Sequence, residues 1–290
     1  MSEDKSLEFK KEFEKLRTEA QEARTLEELF SVWKRAHALE VEEWKHKSPK
    51  GEDEKEKPRT VPVAFLKKFP DVKIREEAMK NSFCGDGYIG TSQSTKETYN
   101  NKNNSNNEPN KFTRFLILKE ENHIQKRKDW ETGISPYNTY YGDWVYTGTV
   151  KDENGKTVSA PATRLGNIVA GCVENWKKDM KKSDMQELME KCAIINVNKR
   201  GGGSSSDKSL SQYFKKYESF FLKEIDLLRA DGEPLEFFVF GSGISYYTCM
   251  KDILEPNSFG VNCKVYNLSH PARQMSYDDR KKEWDERKNV

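Results

Sequence analysis

Apolar residues recur at two different periods along the chain. Near the N-terminus the period is helical: Phe9, Phe13, Leu16, Ala20 and Ala23 fall at three-four spacing and make one stripe. Thr25 opens a second helix, with Glu28 three residues on as a capping box. Leu26, Leu29, Phe30, Trp33, Ala36 and Trp44 line its apolar side, and Ser48-Pro49-Lys50-Gly51 stops it. The charged run from Glu52 to Arg59 reads as a solvated linker. Residues 1–60 are therefore expected to form a helical hairpin and charged linker, ahead of a larger domain over residues 61–290.

Residues 91–110 are rich in Asn, Ser and Thr, too polar to pack, and read as a surface loop of that domain. From Lys111 on, short apolar runs alternate with helical stripes. Phe115–Leu118, Cys192–Val197, Phe237–Phe240 and Lys264–Leu268 read as strands. Leu165, Ile168, Val169, Cys172, Val173 and Trp176 make one amphipathic helix; Leu210, Phe214, Tyr217, Phe221, Ile225 and Leu228 make another. Strands separated by helices imply βαβ units. The expected fold is a three-layer α/β/α domain around a central, mostly parallel four-stranded sheet. In such folds the C-terminal strand ends converge on one edge, where ligands bind.

Composition narrows the class. Hydrophobic and charged residues each make up 34%, which predicts a modest core with solvated segments. The formal charge of +2 argues against a histone-like binder and leaves room for a local basic face. No run approaches the roughly 20 apolar residues of a membrane span. Met1-Ser2-Glu3-Asp4-Lys5 lacks the apolar region of a secretory signal. The five cysteines are scattered, with no Cys-x-x-Cys pair, which fits free thiols in a reducing cytoplasm and neither zinc nor a disulfide framework. No metal and no cofactor is expected.

Four strand ends carry chemistry-bearing residues in order. The first strand leads into Lys119-Glu120-Glu121-Asn122 and the second holds Ile194-Ile195-Asn196-Val197-Asn198-Lys199. The third ends Phe238-Val239-Phe240-Gly241 and the fourth runs into Ser269-His270-Pro271-Ala272-Arg273. Taken together these resemble the uracil-DNA glycosylase superfamily over roughly Lys111 to Val290. The second resembles the Asn-Val-Val-Lys pattern of its iron–sulfur branch, and the last its His-Pro-Ser or His-Pro-Ala. Lys119 stands where the family has Gly, the Pro-Tyr or Pro-Gly of that turn is absent, and the cluster cysteines are missing.

The resemblance implies hydrolysis of an N-glycosidic bond. That chemistry needs a pocket for an extruded base, a donor for charge developing on it, a reader of its edge and a group to handle water. His270 suits the donor, and Asn196, whose amide both donates and accepts, suits the reader. Glu120, then Glu121, suits a carboxylate that orients water or faces a cationic sugar. Asn122 is expected to cap the next segment or line the base pocket, and Tyr141 to stack on the base. Lys199, Arg200 and Ser204, in a glycine-rich run, are expected at DNA phosphates, with Arg273 at another phosphate and Met275 as a wedge in the base stack.

The expected function is thus a monofunctional, metal-independent, cytoplasmic DNA glycosylase. The altered first motif favours a modified or bulky base over plain uracil, in repair or in defence against modified phage DNA. DNA is the expected partner, with no membrane, and the N-terminal helices are an expected surface for a protein partner. Two alternatives stand beside it: an inactive nucleic-acid-binding module, and a hydrolase of free nucleosides or nucleotides. The first predicts DNA binding without abasic product; the second predicts turnover without DNA.

Overall fold

The computed structural model describes residues 3–47, 83, 112–118, 122–123, 156, 160–174, 176, 181–199, 201–202, 210–241, 244–254, 259–271, 273 and 275–288. The chain divides into two compact units that interleave in sequence. The first comprises Met1–Gly85, Glu120–Ser135 and Asn196–Leu227; the second comprises Asp86–Lys119, Pro136–Ile195 and Leu228–Val290. The polar run 91–110 and the linker 52–59 lie outside the described residues.

The first unit is built on helices α1 (Glu3–Glu22) and α2 (Leu26–Lys47). Between them Thr25 Oγ1 accepts from the Glu28 amide at 3.1 Å, and the Glu28 carboxylate accepts from the Arg24 amide at 2.7 Å. That reciprocal pairing satisfies amides that a helix start leaves unpaired. The apolar stripes point inward: Phe13, Leu16, Ala20, Leu29, Trp33 and Ala36 are buried. A surface ion pair, Arg35 to Glu19 at 2.6 Å, ties α2 to α1.

The second unit holds a four-stranded parallel sheet. Its strands are β1 (Arg114–Leu118), β3 (Cys192–Asn196), β5 (Leu235–Phe240) and β6 (Cys263–Leu268), in the order β3-β1-β5-β6. A two-stranded parallel ladder of β2 (Asn122–His123) and β4 (Gly201–Gly202) belongs to the first unit. Every residue of β3 is buried, as are Phe115–Leu118 of β1 and Phe237–Phe240 of β5, which is the continuous apolar reading of strands covered on both faces. The edge strand β6 alternates instead, with Cys263 and Val265 buried and Lys264 exposed.

The covering helices are α3 (Ala160–Val173), α4 (Lys182–Glu190), α6 (Ile244–Leu254) and α7 (Tyr277–Arg287). Helix α5 (Leu210–Leu228) precedes β5 and lies almost wholly in the first unit. One buried cluster joins Leu165, Ile168 and Val169 of α3 to Leu116, Ile194 and Phe238 of the sheet and Trp284 of α7. No helix among the described residues is long and apolar enough to cross a membrane.

Trp176 departs from the expected helical stripe. Helix α3 ends at Val173, and Trp176 sits beyond it at φ 57° with its amide donating to Gly171 O at 2.8 Å. The left-handed turn reverses the chain and lays the indole back on Gly171. A Cβ on Gly171 would come within 2.7 Å of the indole carbons. The Tyr277 ring meets the indole edge-on, with centroids 5.2 Å apart.

In a helix interior, replacing Gly by Ala normally stabilises by about 0.5–1 kcal/mol. Gly171→Ala is expected to do the reverse and cost about 1–3 kcal/mol, since the added methyl would displace the indole from its packed position. Urea unfolding of the two proteins measures this; a stabilised variant would contradict the packing described.

Candidate functional site

Strand register sets the site. Leu118 pairs with Phe240, and Phe240 with Leu268, so β1, β5 and β6 stop at one level. From β1 the chain steps to β3 on one side, and from β5 it steps to β6 on the other. The strand order therefore reverses between β1 and β5, and open α/β sheets generally take ligands past the C-terminal strand ends at such a point. Gly241 and the His270 loop are the segments that emerge there.

His270 is seated on Gly241. A Cβ on Gly241 would lie 3.2 Å from His270 Cδ2 and 3.3 Å from its Cβ, and Gly241 has φ 78°. The backbone conformation favours glycine, and the close approach leaves a Cβ little space. The Gly241 amide also donates to Leu268 O at 3.0 Å, extending the sheet ladder by one rung. His270 is half-buried.

Helix α7 holds the His270 loop from behind with buried charge. Arg280 donates to three carbonyls of the loop: Ser269 at 3.0 Å, His270 at 3.1 Å and Arg273 at 2.7 Å. Glu283 Oε1 accepts from the Ser269 amide at 3.2 Å and from its hydroxyl at 2.5 Å. Arg287 donates to Asn267 O at 3.2 Å and pairs with Glu283 at 3.0 Å. Arg280 and Glu283 are both buried, and each finds several charge-assisted partners, as buried charges require. Burial lowers the Arg280 pKa, opposed by Glu283 and reinforced by repulsion from Arg273 and Arg164.

Beside this loop the second unit has a cavity of about 280 Å³, walled by Arg164, Trp176, Met185, Arg273, Tyr277 and Arg280 among others. Met275, the expected wedge, lines the same cavity and is half-buried. Arg273 is exposed, with Nη1 donating to Ser269 Oγ at 3.2 Å. Ser276 caps α7, accepting from the Asp279 amide at 3.1 Å and donating to its carboxylate at 2.7 Å, which lowers the Asp279 pKa.

The remaining expected residues lie elsewhere. Asn196 closes β3 and is fully buried in the first unit, where its neighbour Asn198 is also buried. Asn122 stands in β2, directly paired with Gly201. Glu120, Glu121, Tyr141, Arg200 and Ser204 lie outside the described residues. Among the described residues no group of three or more His, Cys, Asp or Glu side chains is arranged to hold a metal ion.

Lys199 takes a different place from the expected phosphate contact. Its side chain is fully buried in the first unit, with Nζ 2.9 and 2.8 Å from the two carboxylate oxygens of Glu224 on α5. The ammonium also faces the rings of Trp33 and Phe30, at 5.4 and 5.8 Å from their centroids. The Lys199 amide donates to Tyr213 Oη at 3.2 Å, and that oxygen lies 2.9 Å from His37 Nε2 of α2. The glycines that follow had suggested a phosphate loop; the aromatic stripe of α2 was the signal for this enclosed ion pair.

No family model matches the chain, and neither a curated protein nor a solved structure matches it. The class defined by the structure is therefore a parallel-sheet α/β protein with a histidine in the loop after its edge strand, packed on Gly241.

Three variants test the geometry. Lys199→Met strands the Glu224 carboxylate and is expected to cost about 3–5 kcal/mol, whereas the pair Lys199→Met with Glu224→Leu recovers most of it. Chemical denaturation reads both, and equal losses would contradict a closed ion pair. Gly241→Ala is expected to cost about 1–3 kcal/mol and to shift the His270 imidazole resonances; unchanged stability and spectra would mean that the two residues do not touch.

Proposed function

We propose that the protein is a metal-independent, monofunctional DNA glycosylase that hydrolyses the N-glycosidic bond of a flipped uracil-like or modified base. One observation carries the reading: a half-buried imidazole seated on a positive-φ glycine at the topological switch point of a parallel sheet. Its support from sequence is the order of the four strand-end motifs and the His270-Pro271-Ala272 that follows β6.

In this reading His270 donates to the oxygen on which charge develops as the base leaves. Rigid placement matters because a donor fixed in advance needs no reorganisation in the transition state. The carbonyls of Ser269, His270 and Arg273, all held by Arg280, supply that rigidity. The reader of the base edge and the group that handles water are assigned by the resemblance alone, to Asn196 and to Glu120 or Glu121. Within the unit that carries His270, Arg273 holds the strand and Met275 fills the stack. Lys199, buried against Glu224, has no direct part in this reading.

The test is excision from labelled DNA carrying uracil, hydroxymethylcytosine, glucosylated and deaminated bases, followed by alkaline cleavage at abasic sites. Excision of one base, falling by roughly 10²–10³ in His270→Ala with DNA binding retained, is the expected result. Bound DNA left intact across the whole panel would overturn the enzymatic reading in favour of a binding module. Turnover confined to free nucleosides or nucleotides would replace DNA as the substrate.

A further inference from the structure

We propose that Glu283 is a positioning residue for His270, acting through Ser269. The inference rests on the reading of His270 as the donor to the leaving base, and it extends that reading from the imidazole to a carboxylate on α7.

An imidazole on a loop keeps one direction only if the backbone on both sides of its Cα is fixed. The C-terminal side is the harder one, because Pro271 has no N–H and the peptide between His270 and Pro271 can be held through its carbonyl alone. That carbonyl accepts from Arg280 Nη2 at 3.1 Å and from the Arg273 amide at 2.9 Å. On the N-terminal side the Ser269 carbonyl accepts from Arg280 Nη1 at 3.0 Å.

Arg280 can grip only acceptors, and Glu283, three residues on along α7, supplies the opposite grip. Its Oε1 accepts from the Ser269 amide at 3.2 Å and from the Ser269 hydroxyl at 2.5 Å. The amide, the hydroxyl and the carbonyl of Ser269 are thus all bonded to α7, two through the acid and one through the base. The hydroxyl also accepts from Arg273 Nη1 at 3.2 Å, so it links that side chain to the same carboxylate.

The carboxylate is itself fixed. Arg287 Nη1 lies 3.0 Å from Oε1, and Arg280 Nη1 lies 3.5 Å from Oε2. Both oxygens face donors, so Glu283→Gln would turn an NH2 toward one set of them. Glu283 is buried and cannot readily replace a lost partner with water. The His270 ring packs on Gly241, so a loop released from α7 alters the contact that sets the ring's direction. Displacements well under 1 Å are costly for a group that must meet charge as it develops.

The test uses three variants of the full chain, each checked by thermal unfolding. Ser269→Ala removes the hydroxyl alone, Ser269→Thr keeps one, and Glu283→Gln keeps the shape without the charge. Histidine side-chain NMR reads the ring, with His270→Ala assigning its signals among the four histidines. Steady-state excision of the base that the wild-type protein accepts reads the consequence. Ser269→Ala and Glu283→Gln are expected to shift the His270 imidazole signals and to lower kcat by about 10- to 100-fold, with KM within about twofold and Ser269→Thr close to wild type. If Glu283→Gln fails to fold, Ser269→Ala decides.

An unchanged kcat in folded Ser269→Ala, or a rise in KM with kcat kept, overturns the proposal. A wild-type protein that excises no base sinks the glycosylase reading alone. The imidazole signals then decide: shifted signals in Ser269→Ala, restored in Ser269→Thr, uphold the positioning, and unmoved signals overturn it.

Discussion

The in-register ending of three parallel strands is the constraint on which the candidate site depends. Because Leu118, Phe240 and Leu268 stand opposite one another, the segments that follow emerge at one level of one edge. A slip of one residue would turn each side chain of a strand to the other face. The strands resist such a slip because Phe237–Phe240 and Phe115–Leu118 are buried and Phe115 stacks on Phe237 at 5.2 Å. The hydrophobic core thus does more than stabilise the sheet; it fixes where Gly241 and His270 meet.

Each unit also encloses charge, and each resolves the cost differently. In the second unit Arg280 and Glu283 are buried but consume their bonding capacity on the backbone of one loop. In the first, Lys199 and Glu224 neutralise one another inside an aromatic box. Isolated charges would be untenable at such positions, and apolar replacements of equal volume would often be as stable. What the charged versions add is direction. Arg280 can hold three carbonyls at set distances, which no aliphatic side chain can do, and the His270 loop inherits that geometry.

The strands were legible because covered parallel strands are continuous apolar runs, and β1, β3, β5 and β6 all fall within a few residues of the expected spans. Helices α1, α2 and α5 were legible as stripes. Helix α7 was not, since its inward face is Arg280, Glu283 and Trp284 rather than aliphatic residues, and apolar periodicity is blind to buried charge. Trp176 obeyed helical spacing yet lies past a left-handed turn that no local residue announces. Lys199 beside a glycine run resembled a phosphate loop; only the meeting of α2 and α5 reveals its burial. His270 and Gly241 were each visible, but their contact is a property of strand register, which one sequence does not display.

The central claim is that the His270 loop is a fixed extension of the sheet, not a mobile surface turn. Residue-resolved hydrogen exchange tests it most directly, because it reads opening free energies amide by amide. The amides of Gly241, Ser269 and Arg273, bonded to Leu268 O, Glu283 and His270 O, should exchange as slowly as amides within β5 and β6. Exchange at the rate of an unstructured peptide, with β5 and β6 still protected, would contradict the account.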